Sequence, residues 1–423
     1  MHPLNLLWVK VGGLWPLNTG GRLRSFHLIK ELSRHHRVTV LTTHGPDDDP
    51  ESLASEIPTC GRVVSVPFAL PKRTSVRFAV ALARSWMSPY PADVWKCRVP
   101  ALRAALDDTL RHEAVDLCIA DFLAGASNVP LGAGVPVVLF EHNVEYLIWK
   151  RLSLHEPSPV KRAALAVEWR KMLRVEADAC KRADLTVAVS EPDARRLQAL
   201  APDAQIRWIP TGVDTAYFAP ASVVPADATL VFTGSLDWYP NEDALLFFLH
   251  DILPLIRRLV PGATLTVVGR NPGARLRAAA AAVSGVRLTG TVDDVRPYVA
   301  PADVYIVPLR IGSGTRLKIF EALAMGKAVV STPIGAEGLA LTPNRHFLEA
   351  DTPAAFADAV VSLLRDPIRR RALGQRGRHR VASRYSWQHV ARAFEACCAE
   401  ALRCFADRHR VRASVHHEAL AGR

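Results

Sequence analysis

The stretch Pro308–Leu339, PLRIGSGTRLKIFEALAMGKAVVSTPIGAEGL, concentrates the residues of this 423-residue chain whose types and spacing suit chemistry on an anion. An apolar run ends at Leu309, the small residues Gly312, Ser313, Gly314 and Thr315 follow, and a helical pattern runs from about Arg316 to a glycine stop at Gly326. Glycines at a strand-to-helix turn let backbone N–H groups approach an anion, and the helix N-terminus adds a partial positive charge. Arg316 and Lys318 fall in the first turn, where cations oppose the helix dipole. A bound diphosphate supplies the missing negative charge. Glu321, three residues after Lys318, shares its helix face. An ordinary surface Lys–Glu pair is worth about 0.3 kcal/mol and leaves the glycine loop unexplained. A diphosphate whose ribose hydroxyl donates to Glu321 accounts for both. A second glycine turn adds Gly335 and Glu337 to this candidate donor site, and Gly234 and Ser235, after an earlier apolar run, offer further contacts to the diphosphate.

Three other places carry residues of interest. Gly20 and Gly21 follow the first apolar run, with Arg24 on the opening turn of the next helical pattern. They can bring backbone close to donor phosphates or to an acceptor; a tight turn without a ligand is the plain alternative. The spacing is not that of a dinucleotide-binding loop. His142 ends the run VPVVLFE at a carboxyl strand end, where open α/β sheets bind their ligands; Glu141 and Glu145 beside it are weaker candidates. The run Asp47-Asp48-Asp49 has the look of a metal-holding pair of acids, but it lies between Pro46 and Pro50, far from any phosphate loop, and reads as a solvated turn. No metal is expected.

The elements that must position these residues are short apolar runs alternating with helical patterns. Runs at residues 5–11, 37–43, 63–68, 116–121, 135–141, 184–190 and 206–210 show little polar alternation, as in strands buried on both faces of a parallel sheet. Helical segments such as Arg22–Arg34 and Pro192–Leu200 lie between them. After the Pro- and Ala-rich stretch Ala219–Thr229 the pattern restarts, at residues 229–234, 263–269, 286–290, 303–309 and 327–332. The expected fold is α/β, with two Rossmann-like, doubly wound parallel-sheet domains facing a cleft. Residues 1–218 form the N-terminal domain, 219–229 the linker, 230–405 the C-terminal domain, which carries the candidate diphosphate site, and 406–423 a loose polar tail.

Composition narrows the partners. The formal net charge is +12, but the basic residues are spread along the chain without a basic stripe interleaved with aromatics, which argues against nucleic acid. A solvated basic surface and contact with an anionic membrane both fit. Segments 149–161 and 169–181 combine Trp with Lys and Arg in a way that suits a lipid surface or a packed, charged helix. Seven cysteines in no metal-binding or CxxC spacing fit a reducing compartment. The N-terminus lacks a signal-peptide pattern and no apolar window is long enough to span a bilayer, so a cytoplasmic, at most membrane-associated, protein is expected.

In combination these segments resemble the family 4 glycosyltransferases, which have the GT-B fold. The likeness rests on KIFEALAMGKAVVSTPIGAEGL, NTGGRLRSFHLIKELSRHHRVTVLT, FEHNVE, ADLTVAVSEPD, IPTGVD and TGSLDWYPN, and runs from about Asn5 to Ala406. It is nearest to sugar transferases of bacterial exopolysaccharide (exosortase-linked) gene clusters. The resemblance implies a retaining, metal-independent transfer of a sugar from a nucleotide-diphosphate donor to a glycan or lipid-linked acceptor, with no cofactor. It also implies that Glu321 binds the donor ribose, that Lys318 or Arg316 faces the diphosphate, and that His142 lies beside the transferred sugar. One departure stands out: the family often carries a second glutamate near the transferred sugar, and here Ser313 stands eight positions before Glu321. A sugar-nucleotide epimerase or hydrolase of the same architecture, and a non-catalytic polyanion binder, are the competing readings.

Overall fold

The computed structural model of the protein describes residues 2–17, 19–46, 48–69, 80, 83–132, 134–156, 158–221, 223, 227–311 and 317–421. The chain divides into two compact units, residues 1–209 with 390–423, and residues 210–389.

The first unit holds seven strands: β1 (Asn5–Lys10), β2 (Arg37–His44), β3 (Arg62–Pro67), β4 (Leu117–Asp121), β5 (Val137–Glu141), β6 (Leu185–Ala188) and β7 (Ile206–Trp208). They are all parallel, in the order β3-β2-β1-β4-β5-β6-β7. Leu6, Leu7, Trp8 and Val9 of β1 are buried, which explains the uninterrupted apolar run. Several of the connecting helices begin on side-chain caps. Thr19 accepts from the Arg22 N–H at 3.3 Å to open Gly20–Leu32, and Ser190 accepts from the Asp193 N–H at 3.2 Å to open Glu191–Leu200.

The second unit repeats the plan with β8 (Thr229–Thr233), β9 (Thr264–Val268), β10 (Val286–Leu288), β11 (Val304–Val307), β12 (Ala328–Ser331) and β13 (Leu348–Glu349). The order is β10-β9-β8-β11-β12-β13, again all parallel. Every expected strand is present. The short β13, which pairs with Val330 and Ser331, is the addition.

A shared device fixes the register of both sheets. Asp116, Asp184 and Asp303 each stand just before a strand, and each carboxylate accepts the N–H of the residue that opens the neighbouring strand. The partners are Asn5 at 2.7 Å, Val137 at 2.7 Å and Thr229 at 3.2 Å. Register matters because a slip of one residue turns every buried side chain to the other face.

The ends of the units differ from the sequence expectation. The division falls between Ile209 and Pro210, ahead of the 219–229 stretch, and residues from Val390 on belong to the first unit rather than closing the second at 405. The helix Trp387–Ala421 carries the chain back, and its Phe394 ring packs against Trp8 and Phe140, with centroids 5.7 and 5.2 Å apart. Phe394, Cys398 and Ala401 are buried, so apolar packing holds this helix to the first unit. The tail expected to be loose from Ala406 continues as helix to Ala421.

One close approach yields a test of the packing. A Cβ on Gly374, in the helix Pro367–Arg384, would overlap the carbonyl oxygen of Gly326. Helix propensity alone makes Gly→Ala stabilising by about 1 kcal/mol. The overlap should reverse the sign, so that Gly374→Ala costs about 2 kcal/mol in urea denaturation.

Candidate functional site

In each unit the strand order turns about a central pair, β1 and β4 in the first and β8 and β11 in the second. Loops leaving such a pair diverge to opposite faces and open a crevice at the carboxyl ends of the strands. Each unit has its cluster of polar residues there.

In the second unit, β8 runs into Gly234 and β12 into the turn at Gly335, while Lys318 and Glu321 lie on the helix Leu317–Ala324. Lys318 Nζ donates to Asn241 Oδ1 at 2.9 Å and lies 4.0 Å above the Phe232 ring. Asn241 in turn donates from Nδ2 to the Ser235 carbonyl at 2.8 Å, which ties the Gly234–Ser235 loop to the lysine. A Cβ on Gly234 would come within 2.7 Å of Lys318 Nζ, so only glycine lets the ammonium approach this backbone. Tyr305 on β11 joins the Thr233 hydroxyl at 2.5 Å, bridging the two central strands. The Gly335 N–H donates to Thr332 Oγ1 at 3.0 Å, and a Cβ there would overlap Ser331 Oγ, so the turn after β12 lies flat on the strand end. Glu337 follows, half-buried. Burial pushes the Glu321 carboxyl up to about 7, against the opposing pull of Lys318. The sequence candidates Gly234, Ser235, Lys318, Glu321, Gly335 and Glu337 thus lie on the loops and helix that follow β8, β11 and β12. Gly312, Ser313, Gly314, Thr315 and Arg316 lie outside the described residues.

In the first unit the cluster centres on Asp121, at the end of β4. Its Oδ2 accepts from Trp8 Nε1 at 2.8 Å and lies 3.1 Å from Lys10 Nζ, at the end of β1. Its Oδ1 lies 2.9 Å from His142 Nε2, within contact distance but too poorly aligned for a good hydrogen bond. Burial raises the Asp121 carboxyl, but Lys10 and His142 outweigh it and hold the group below the ordinary carboxylate range. Burial carries His142 down to about 3, with Asp121 opposing. Burial lowers Lys10 too, with Asp121 opposing, and it leaves the imidazole neutral beside the carboxylate. At about 3, His142 is a weak base near neutrality, suited to holding a hydroxyl by a hydrogen bond.

Phe122, next in the chain, has φ 62°, a strained value for an aromatic residue. Its ring stacks on His142 at 3.8 Å and takes Lys10 Nζ on its face at 4.5 Å. A Cβ on Gly21 would stand 3.0 Å from that ring and 3.9 Å from His142 Nδ1, so the glycine loop and His142 do converge. Arg24 is buried on the same helix, its guanidinium drawn down to about 10 by burial against the pull of Asp121 and Asp193. Behind His142, both Glu141 oxygens lack a well-formed hydrogen bond, and burial with Glu176 close by holds the carboxyl well above its usual range. Glu176 accepts the N–H groups of Glu145 and Tyr146 at 2.7 and 3.0 Å, and burial lifts it to about 8.

The acidic run has structural work. Asp48 pairs with Arg22 at 2.7 Å, and Asp49 accepts the Glu51 and Ser52 N–H groups at 3.1 and 3.0 Å to cap the helix Pro50–Glu56. Asp47 lies outside the described residues. Sequence reasoning missed Lys10, Asp121, Asn241 and Tyr305. A charged residue closing an apolar run, as in NLLWVK and LCIAD, is the signal that marks the first two.

Comparison with known proteins gives the class. Residues 20–217 match the family described as Glycosyltransferase Family 4, and residues 227–366 match Glycosyl transferases group 1. Sucrose-phosphate synthase from Thermosynechococcus elongatus superposes with a TM-score of 0.70 at 18% identity, over 93% of this chain and 98% of that one. The lipopolysaccharide-biosynthesis glycosyltransferase WaaG does so with 0.60 at 14%, over 92% and 98%. The fold is GT-B, and the two glycosyltransferase family models, in this order, together match most of the chain. Among relatives in sequence, the phosphatidyl-myo-inositol mannosyltransferase of Mycobacterium tuberculosis is 32% identical over 218 residues, 48% of this chain and 56% of that protein. The GDP-mannose-dependent alpha-(1-6)-phosphatidylinositol monomannoside mannosyltransferase of the same organism is 30% identical over 231 residues, 49% and 59%. The chain thus spans little more than half the length of either relative.

Two outcomes test the geometry. Asp121→Ala leaves Lys10 buried beside no carboxylate and should cost about 3–5 kcal/mol in urea denaturation at pH 7. For Glu321, a carboxyl raised to about 7 keeps its proton in the folded state while the unfolded chain has released it. Stability therefore falls as pH rises through the window between the ordinary glutamate value and 7. Glu321→Gln removes that loss and should stabilise the ligand-free protein by about 1–2 kcal/mol at pH 8, with no gain at pH 4.

Proposed function

We propose that this protein is a retaining glycosyltransferase that moves a sugar from a nucleotide-diphosphate donor to a glycan or lipid-linked acceptor, without a metal ion or cofactor. The observation that carries the reading is the second-unit cluster in which Asn241 holds Lys318 against the Gly234 backbone, with Glu321 one turn along the same helix. An ammonium presented to a glycine loop suits a diphosphate, and an adjacent carboxylate suits a ribose hydroxyl. Lys318, together with Arg316 two positions earlier, meets the charge that grows on the leaving diphosphate.

In the transfer, the bond from the anomeric carbon to the donor phosphate oxygen breaks as an acceptor hydroxyl oxygen bonds to the same carbon on the same face. The acceptor proton passes to the leaving phosphate oxygen. The first unit's neutral His142, held by Asp121 and Phe122, orients the sugar or the acceptor. A lipid-linked acceptor is supported by the phosphatidylinositol-directed names of the mycobacterial relatives. Such an acceptor, within bacterial glycolipid or exopolysaccharide assembly in the cytoplasm, places the enzyme at an anionic membrane.

Exposed Leu152, Leu154, Val160 and Val167 on the helices Glu145–His155 and Pro159–Arg182, with exposed Lys150 and Lys161 on the same two helices, suit this contact. Trp149 packs on the core and Trp169 lies under Lys150 and Arg170, so aliphatic side chains rather than the indoles offer the apolar contact. Among the described residues no helix is long and apolar enough to cross a membrane.

A nucleotide-sugar panel that begins with GDP-mannose tests the donor. The true donor at 100 times its dissociation constant should stabilise the fold by about 2.7 kcal/mol in thermal denaturation. With that donor, Lys318→Ala and Glu321→Ala should each lower kcat/KM by about 100-fold. Near wild-type rates in both variants would sink the assignment. Free sugar or an isomerised donor as the only product would make the protein a hydrolase or an epimerase instead.

A further inference from the structure

The second unit contains a basic cavity that the proposed transfer does not use. It has a volume of about 630 Å³ and is lined by Arg345, His346, Arg376, His379, Arg380 and Arg384, together with small and neutral residues. No carboxylate lines it. The helix Pro367–Arg384 that forms one wall contains no acidic residue at all. Several other arginines of this unit are paired with carboxylates. Arg310 pairs with Asp243 at 2.6 Å, Arg370 with Asp303 at 2.8 Å and Arg296 with Asp294 at 2.8 Å. Among the described residues, none of the four cavity arginines forms such a pair.

The donors are also partly fixed in place. Arg376 Nε is anchored on the Arg345 carbonyl at 2.9 Å and Arg380 Nη2 on the Ala340 carbonyl at 3.1 Å. These bonds orient the guanidinium forks and leave their remaining N–H groups for a ligand, and Arg380 Nε is buried without a hydrogen-bond partner. His346 Nδ1 accepts the Thr342 N–H at 2.9 Å, so the ring proton resides on Nε2 and His346 is a further donor. Burial, and then Arg380, Arg345 and Arg376, lower its titration and keep the ring neutral. Four like charges around one cavity repel each other unless an anion sits among them. Planar forks are matched in geometry to phosphate oxygens.

We propose that this cavity is a second anion site, distinct from the donor cluster, that binds a phosphate-bearing group. The group is either a free phosphate ester or the headgroup of an anionic lipid. The two sources share their chemistry and differ in what they demand of the protein. A free ester must be held by the cavity alone, whereas a headgroup is presented by a surface.

The test compares the full chain with a triple variant, Arg345→Gln, Arg376→Gln and Arg384→Gln, whose side chains are exposed, so folding should be preserved. Without a ligand the triple variant should melt no lower than wild type, because like-charge repulsion has been relieved. At about 150 mM salt, where diffuse attraction is screened, inorganic pyrophosphate is titrated by calorimetry. Wild type should show one more site than the triple variant, while Lys318→Ala keeps the cavity site whatever becomes of the donor cluster. Flotation with vesicles of phosphatidylglycerol and phosphatidylcholine forms the second arm.

A pyrophosphate site lost only in the triple variant assigns a free ester. No pyrophosphate site, but vesicle binding at least tenfold weaker in the triple variant, assigns a headgroup. Equal behaviour of the two proteins in both arms overturns the proposal. Should the triple variant melt lower than wild type, Arg376→Gln alone carries the same expectation with a threefold weakening.

Discussion

A parallel strand pair can be closed only by carrying the chain back across the sheet, so every strand of such a sheet ends at the same edge. Both sheets of this protein obey that constraint from one side to the other. The loops that follow the strands therefore collect along one edge in each unit, and the reversal of strand order at the centre parts them. Lys10, Asp121 and His142 meet at one such point although they are far apart in sequence. Gly234, Lys318 and Asn241 meet at the other.

Placing charge at these edges is costly, because the neighbouring residues are buried and apolar. The two units meet the cost differently. The first pairs its ions: Asp121 takes Lys10 and the Trp8 indole, and the ring of Phe122 covers the ammonium. The second leaves Glu321 with a raised affinity for protons and braces Lys318 on a neutral amide. A paired cluster suits rigid positioning, and an under-compensated one suits an incoming charged ligand. The strained Phe122 belongs to the first strategy, since its backbone holds the ring over both His142 and Lys10.

Much of this was legible in the sequence, and the limits have physical reasons. Strands buried on both faces leave unbroken apolar runs, and each such run proved to be a strand; β13, two residues long, leaves no run to see. Lys318, Glu321 and Gly234 could be picked out because glycine loops and a helix start frame them locally. Asn241 and Tyr305 could not, because their significance comes from contacts 77 and 72 residues away. The return of the chain at Val390 was likewise invisible, since it depends on Phe394 meeting Trp8 and Phe140. The polar composition after Ala406 concealed a continuing helix.

The aspartates before β4, β6 and β11 lie at the amino edge of their sheets, opposite the edge that carries the reactive groups. Alignment of the strands is thus secured by residues that take no part in recognition. A lineage of such proteins can exchange the loops at one border for a new sugar or a new acceptor while the anchors at the far border keep the scaffold in step. Separation of this kind lets specificity drift without endangering the architecture that presents it.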